Sequence, residues 1–163
     1  MRNGSWIVGQ LWSKPLAAAA LAAALIGGAG TGFAKSEAAS VDVTVTITDL
    51  RSAEGVVRAC MTTDPGRFPK CRGAAGAHSA VVPAGDGATV TFNGVKPGRY
   101  AIALLHDEND NGKADRALMM MPKEGFGFSR DAKVRMGPPK FDAAAFDVGT
   151  APIRQTIRMR YML

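Results

Sequence analysis

The chain has 163 residues, of which 47% are hydrophobic and 21% are charged, and its formal net charge is +6 at pH 7. The apolar content excludes a disordered chain, and the length suits one domain in addition to a targeting segment. The positive charge does not indicate a nucleic-acid partner, because the basic residues are scattered along the chain and an export signal precedes them.

The N-terminal segment has the three parts of a bacterial export signal. Arg2 and Lys14 provide positive charge, an apolar run follows, and a small-x-small pattern ends at Ala34. We therefore expect a signal peptide over residues 1–34 and a mature domain over residues 35–163, located in the periplasm or secreted.

An uncleaved membrane anchor is the alternative, because the 20 uncharged residues between Lys14 and Lys35 are long enough to span a membrane. Glycines and a threonine in the second half of this stretch weaken it as a stable helix. We expect cleavage, and therefore no membrane span in the mature protein.

From Val41 onward apolar and polar residues alternate, as in a half-buried β-strand. Similar short segments are separated by turn residues, which places strands at 41–48, 56–61, 80–82, 89–92, 99–106, 141–148 and 153–161. About seven short strands without a long amphipathic helix predict an all-β fold, a single antiparallel β-sandwich of immunoglobulin-like or transthyretin-like type. Residues 107–140 form one long irregular segment, and such segments tend to be functional.

Two cysteines, Cys60 and Cys71, enclose a segment with two prolines and a glycine, which indicates a loop. In an oxidising compartment such a close pair usually forms a disulfide. Two cysteines without a nearby histidine do not complete a tetrahedral metal site, and the spacing is not that of a redox motif. We predict a structural disulfide that stabilises the fold by roughly 2–3 kcal/mol.

Oxygen-bearing side chains occupy every second position from residue 107 and are followed by Gly112, as in an EF-hand-type calcium loop. The predicted calcium ligands, including one backbone oxygen at position 113, are Asp107, Asn109, Asn111, Lys113, Asp115 and Glu124. The twelfth position is Leu118 where the motif requires glutamate, so we expect weak affinity, on the order of 10⁻⁴–10⁻³ M. A polar turn without metal is the alternative, because Asn and Asp readily form local turns.

Three methionines and two phenylalanines follow the loop. Met119, Met120, Met121, Phe126 and Phe128 could line an adaptable apolar binding surface. The alternative is that these residues cap the end of the sandwich core.

Under the hypothesis that the protein is an enzyme, His106, Asp107 and Glu124 would be the acid–base groups. A histidine at the end of a strand beside a turn explains the same residues without catalysis. The sequence has no Gly-x-Ser-x-Gly, His-Glu-x-x-His or phosphate-loop motif, so we expect that the protein is not an enzyme.

Three separated motifs resemble the bacterial family catalogued as domain of unknown function 2141: residues 92–115, residues 122–129 and residues 137–141. The resemblance covers about residues 41–148, although methionines at 119–121 replace the glycine-isoleucine that commonly precedes the second motif. It implies an exported β-domain and supplies no activity. Separately, Pro97-Gly98-Arg99-Tyr100 is similar to a turn of transthyretin-like and carboxypeptidase-regulatory-type domains, which bind or scaffold.

Three hypotheses remain open from the sequence. The first is a non-catalytic envelope or secreted binding module with a calcium-ordered loop, whose partner is a cell-envelope protein or an anionic surface. The second is an enzyme that uses the three residues named above, and the third is a metal-free structural protein.

Overall fold

The computed structural model describes residues 39–116 and 122–162. The chain divides into two units, Met1–Lys35 and Ser36–Leu163, and the described residues belong to the second. The predicted signal peptide, Leu118 and Met119–Met121 lie outside the described residues.

The smaller sheet is built around β1 (Val41–Thr48), whose residues alternate between buried and accessible as the sequence predicts. β4 (Thr89–Val95) pairs with β1 in antiparallel orientation, and β8 (Ile153–Arg158) pairs with the other side of β1 in parallel orientation. The strand order of this sheet is therefore β4-β1-β8.

The larger sheet has β5 (Gly98–Asp107) at its centre. Its order is β3-β2-β5-β6, formed by β2 (Val56–Thr62), β3 (His78–Pro83) and β6 (Gly125–Phe128), and β7 (Phe146–Val148) also pairs with β5. All pairings in this sheet are antiparallel. The prediction of an all-β sandwich is confirmed, with the β1–β8 pair as a parallel exception.

The main core fills the space between the two sheets. β-branched and other apolar residues from the inward faces of both sheets form it, including Val43, Val45, Val57, Ile102 and Ile157, each fully buried. Burial of this apolar surface is the main stabilising contribution to the sandwich.

A second, smaller core covers part of the outer face of the larger sheet. The disulfide Cys60–Cys71 lies in it, and Phe68 of the cysteine loop packs edge-to-face against both Phe128 and Phe141. The predicted disulfide therefore joins β2 to a loop that closes over the sheet.

Two predicted elements differ from the structure. The strand predicted over residues 141–148 is a short helix, α1 (Phe141–Ala144), followed by β7. Conversely, β6 lies within the segment that the sequence predicts to be irregular. Its glycines hid the strand pattern, and Gly125 is required there because a Cβ would lie 2.3 Å from the Tyr161 ring.

Candidate functional site

Backbone contacts between its two arms hold the loop between β5 and β6. The Lys123 N–H donates to the Asp115 carbonyl at 3.0 Å, and Arg116 forms an isolated bridge with Pro122. The loop begins at Asp107 and reaches Glu124 immediately before β6, so both ends are fixed by strands of the larger sheet.

Asp107 is fully buried and organises the first turn of the loop. Its Oδ1 accepts the Asn111 N–H at 3.0 Å, and its Oδ2 accepts the Gly112 N–H at 2.8 Å and Arg58 Nε at 2.6 Å. Burial by itself would raise the pKa of Asp107, but the Arg58 contact and the two backbone donors outweigh it and lower that pKa. Asp107 is therefore held as a carboxylate.

Two amide side chains converge on Asp115. Asn109 Nδ2 donates to Asp115 Oδ2 at 2.9 Å, and Asn111 Nδ2 donates to the same oxygen at 2.8 Å. The amide oxygens accept backbone N–H groups of Asn111 and Lys113 at 3.3 and 2.8 Å. The spacing that suggested a calcium loop thus brings these side chains to one side of the turn.

Glu124 is buried against the same turn, with 4% of its surface exposed. Its Oε2 accepts the Asp115 N–H at 3.2 Å, while its buried Oε1 has no hydrogen-bond partner among the described residues. Burial, together with the charges of Asp107, Asp115 and Glu108, raises the pKa of Glu124. A buried carboxylate oxygen without a hydrogen-bond partner, close to other carboxylates, is energetically unfavourable. A bound cation would remove this cost by supplying positive charge.

Arg51 and Glu108 form a clamp at the outside of the loop. Arg51 Nε lies 3.0 Å from Glu108 Oε1, and Arg51 also donates to the Lys123 carbonyl at 2.9 Å. The hydrogen bond to Arg51 is the main cause that lowers the pKa of Glu108 to about 2. The clamp ties the β1–β2 turn to both ends of the loop.

Four predicted ligand side chains and Glu124 come together in this loop. For Lys113 the structure gives a contact through its N–H, so a ligand role for its carbonyl stays a prediction. The residue that sequence reasoning missed is Arg58, which pairs with both Asp107 and Asp110. Arg58 lies on β2, far along the chain from the loop, and no local pattern signals such a contact. Among the described residues no cluster of three or more His, Cys, Asp or Glu side chains is arranged to hold a metal ion.

His106 does not join this site. Consecutive strand residues point to opposite faces, so His106 and Asp107 are directed away from each other. His106 is fully buried, with Nδ1 2.7 Å from the Tyr161 hydroxyl and Nε2 2.9 Å from the Glu54 carbonyl. Both ring nitrogens are thus engaged in structural contacts.

The two phenylalanines of the predicted apolar surface have different positions. Phe128 is buried in the smaller core, whereas Phe126 is half-buried and lines an open groove beside the loop. The core-capping alternative therefore describes Phe128, and a surface role stays a prediction for Phe126.

Comparison with known protein families gives one match. The profile of the DUF2141 family, described as an uncharacterized protein conserved in bacteria, matches residues 45–156. The chain belongs to this family. The matched region of this DUF2141 member includes the disulfide and the whole 107–124 loop, and the resemblance inferred from three motifs is confirmed. Searches of curated proteins and of solved structures each found no significant match. In the described part of the chain, no helix has the length and apolar character needed to cross a membrane.

Proposed function

We propose that this DUF2141 protein is an exported, non-catalytic binding module whose 107–124 loop binds Ca²⁺. The observation that carries the calcium proposal is the buried Glu124 Oε1 without a hydrogen-bond partner, on a side chain whose other oxygen accepts the Asp115 N–H of the Asp- and Asn-rich turn. Calcium prefers oxygen ligands of this kind.

The ligands would come from Asp107, Asn109, Asn111, Asp115 and Glu124, with the Lys113 carbonyl as the backbone ligand. Glu124 would then take the part that the twelfth-position glutamate has in an EF-hand loop. Bound calcium would supply positive charge to carboxylates that otherwise repel one another.

Weak affinity is expected because the loop already satisfies part of its own hydrogen bonding. The Asn109 and Asn111 amides must release Asp115 and turn their oxygens inward, and Asp107 shares an oxygen with Arg58. These rearrangements cost free energy, which supports the millimolar to submillimolar range of extracellular calcium modules.

Export is supported by the disulfide and by the sequence of the N-terminal segment. Cys60–Cys71 is of a type that persists in oxidising compartments. The N-terminal segment carries the charge, apolar run and small-residue pattern of a signal peptide.

Thermal unfolding of the purified protein in calcium and in EDTA tests the calcium proposal. With calcium at about ten times its dissociation constant we expect stabilisation of roughly 1.4 kcal/mol, a rise in Tm of several degrees. Asp115→Asn should abolish most of this rise.

Asp110→Asn is the matched control, because it removes the same charge from the same loop at a residue that pairs with Arg58 and is not a proposed ligand. It should keep the calcium response. A wild-type Tm that does not change at millimolar calcium would contradict the calcium site and favour the metal-free structural protein. Equal loss of the calcium-dependent rise in Tm in both variants would do the same.

A further inference from the structure

An open groove runs along the outer face of the larger sheet, beside the loop. Cross-strand neighbours form its floor: Arg58 of β2 lies opposite Leu105 of β5, and Leu105 lies opposite Phe126 of β6. Ala103 and Phe128 form the next row of the same face. The floor is therefore mostly apolar and is set by the register of three strands.

Three loops form the walls of this groove. The cysteine loop contributes Pro69 and Lys70, the 107–124 loop contributes residues 113–116, and residues 134–138 close the remaining side. The groove has a volume of about 1010 Å³, which matches the upper range of small-molecule clefts.

Exposed apolar side chains concentrate at this groove. Three large hydrophobic residues are exposed in the described part of the chain, and two of them, Met136 and Met162, line the groove. Met136 is fully exposed. Apolar residues left open around a concave surface are typical of a ligand site.

The rim of the groove is basic. Lys70, Lys113, Arg116 and Arg135 line it, and none of these four forms an ion pair with another described residue. Two carboxylates, Asp115 and Glu124, lie at the loop side, where they belong to the proposed calcium site. Positive charge around an apolar floor complements a ligand with an anionic head and an apolar body.

We infer that the groove binds a single-chain amphipathic anion of the fatty-acid class, with its alkyl chain on the Leu105–Phe126 floor and its carboxylate among the rim cations. This deepens the proposed function, because it names a ligand class for the binding module. The inference does not depend on calcium. No floor residue is a proposed calcium ligand, and of the rim cations only Lys113 is one, through its backbone carbonyl.

Isothermal titration of dodecanoate into the purified full chain, in EDTA and low salt, tests this inference. We expect one binding site, with affinity that increases about fourfold for each methylene from octanoate to dodecanoate as apolar surface is buried. Dodecyltrimethylammonium, with the same chain and a cationic head, should bind at least tenfold more weakly.

Lys70→Glu combined with Arg135→Glu should weaken dodecanoate binding about tenfold, because two exposed charge contacts are reversed. The matched control is Lys96→Glu combined with Arg154→Glu, two exposed residues outside the groove that change the net charge equally. Met136→Glu gives a separate test of the apolar contact at a residue too exposed to affect folding.

Equal binding by both double variants, or equal affinity for the cationic amphiphile, would overturn the inference. Binding to anionic vesicles that is lost in the groove variant, without saturable dodecanoate binding, would also overturn it and indicate a membrane surface instead. If calcium does not raise the Tm of the wild type but dodecanoate still binds, only the proposed calcium site is contradicted.

Discussion

Gly55 is a residue whose identity the neighbouring loop determines. Its φ is +65°, and a Cβ at this position would lie 2.1 Å from the Asp107 carbonyl oxygen. A backbone atom at that distance cannot move without displacing the start of the loop. Gly55 therefore allows β2 and the end of β5 to approach each other closely.

We expect Gly55→Ala to destabilise the protein by about 3–5 kcal/mol, because a left-handed conformation and a steric clash are combined. Gly73→Ala is the control, since Gly73 has φ +71° but no atom within 4 Å of its Cβ position. That variant should cost only about 1–2 kcal/mol. Urea unfolding measures both, and similar losses would mean that the close contact at Gly55 is unimportant.

Glu124 is expected to be unfavourable for the stability of the calcium-free protein. Glu124→Gln keeps an oxygen for the Asp115 N–H and offers an amide donor to the neighbouring carboxylates, in place of an oxygen without a partner. At neutral pH in EDTA, the variant should be more stable than wild type by about 1–2 kcal/mol. It should also lose the calcium-dependent rise in Tm.

Differential scanning calorimetry in EDTA and in calcium measures both effects of Glu124→Gln. A gain in stability together with loss of the calcium response distinguishes a ligand from a structural residue. If the variant is destabilised in EDTA, Glu124 instead supports the fold directly and the calcium assignment loses its main argument.

At the scale of elements, a 3₁₀ turn (Ser129–Asp131) is joined by ion pairs to the end of β8 and to the residues that follow it. Asp131 pairs with Arg160 at 2.6 Å and with Arg158 at 2.9 Å. Burial raises the pKa of Asp131, but hydrogen bonds from these two arginines outweigh it, so that the pKa is lowered. The stabilisation is therefore present above the ordinary value of 3.8 and is lost as the pH falls below it.

Asp131→Asn should cost about 0.5–1 kcal/mol at neutral pH, since the pair is partly solvent-exposed. Asn tolerates the left-handed φ of 51° at this position, so the backbone is unaffected. The stability difference from wild type should shrink as pH decreases below the ordinary carboxyl value. Asp147→Asn, at an exposed residue with no ion pair in the described part of the chain, should show no such pH dependence.

At the scale of the molecule, the cysteine loop and the candidate calcium loop are connected. Arg72, next to Cys71, donates to the Gly112 carbonyl at 2.9 Å. The disulfide therefore fixes one wall of the groove, and the adjacent Arg72 contacts the loop that forms another. After export, oxidation of the two cysteines would therefore fix the cysteine loop and, through Arg72, support the candidate calcium loop.

Mass spectrometry of the protein recovered from the cell envelope or medium tests the export prediction. We expect an N-terminus at Lys35 and a mass lower than that of the reduced chain by two hydrogen atoms, because disulfide formation removes one from each thiol. Replacing Ala34 with a bulky charged residue should leave the precursor uncleaved, because signal peptidase needs a small side chain there. A cytoplasmic, full-length protein with two free thiols would contradict the prediction.

Several features followed from the sequence alone because they depend on local patterns. Strict alternation of β-branched residues placed β1, and turn residues with short apolar segments gave the all-β sandwich. The cysteine spacing in a chain predicted to be exported predicted the disulfide, and alternate Asp and Asn residues identified the loop. Each of these depends on residues close together in the chain.

Other features depended on contacts between distant segments. The parallel pairing of β8 with β1, the glycine-rich β6 and the helical start of residues 141–148 are set by packing, which overrides weak local preference. The pairing of β2, β5 and β6 places Arg58 beside Asp107. The same packing buries Glu124 with one oxygen that has no hydrogen-bond partner among the described residues. The groove likewise exists only because the strand register places Arg58, Leu105 and Phe126 side by side. Local sequence determined which residues could bind an ion or a ligand, and the tertiary structure decided which of them are buried together, because burial and charge pairing arise between strands and not along them.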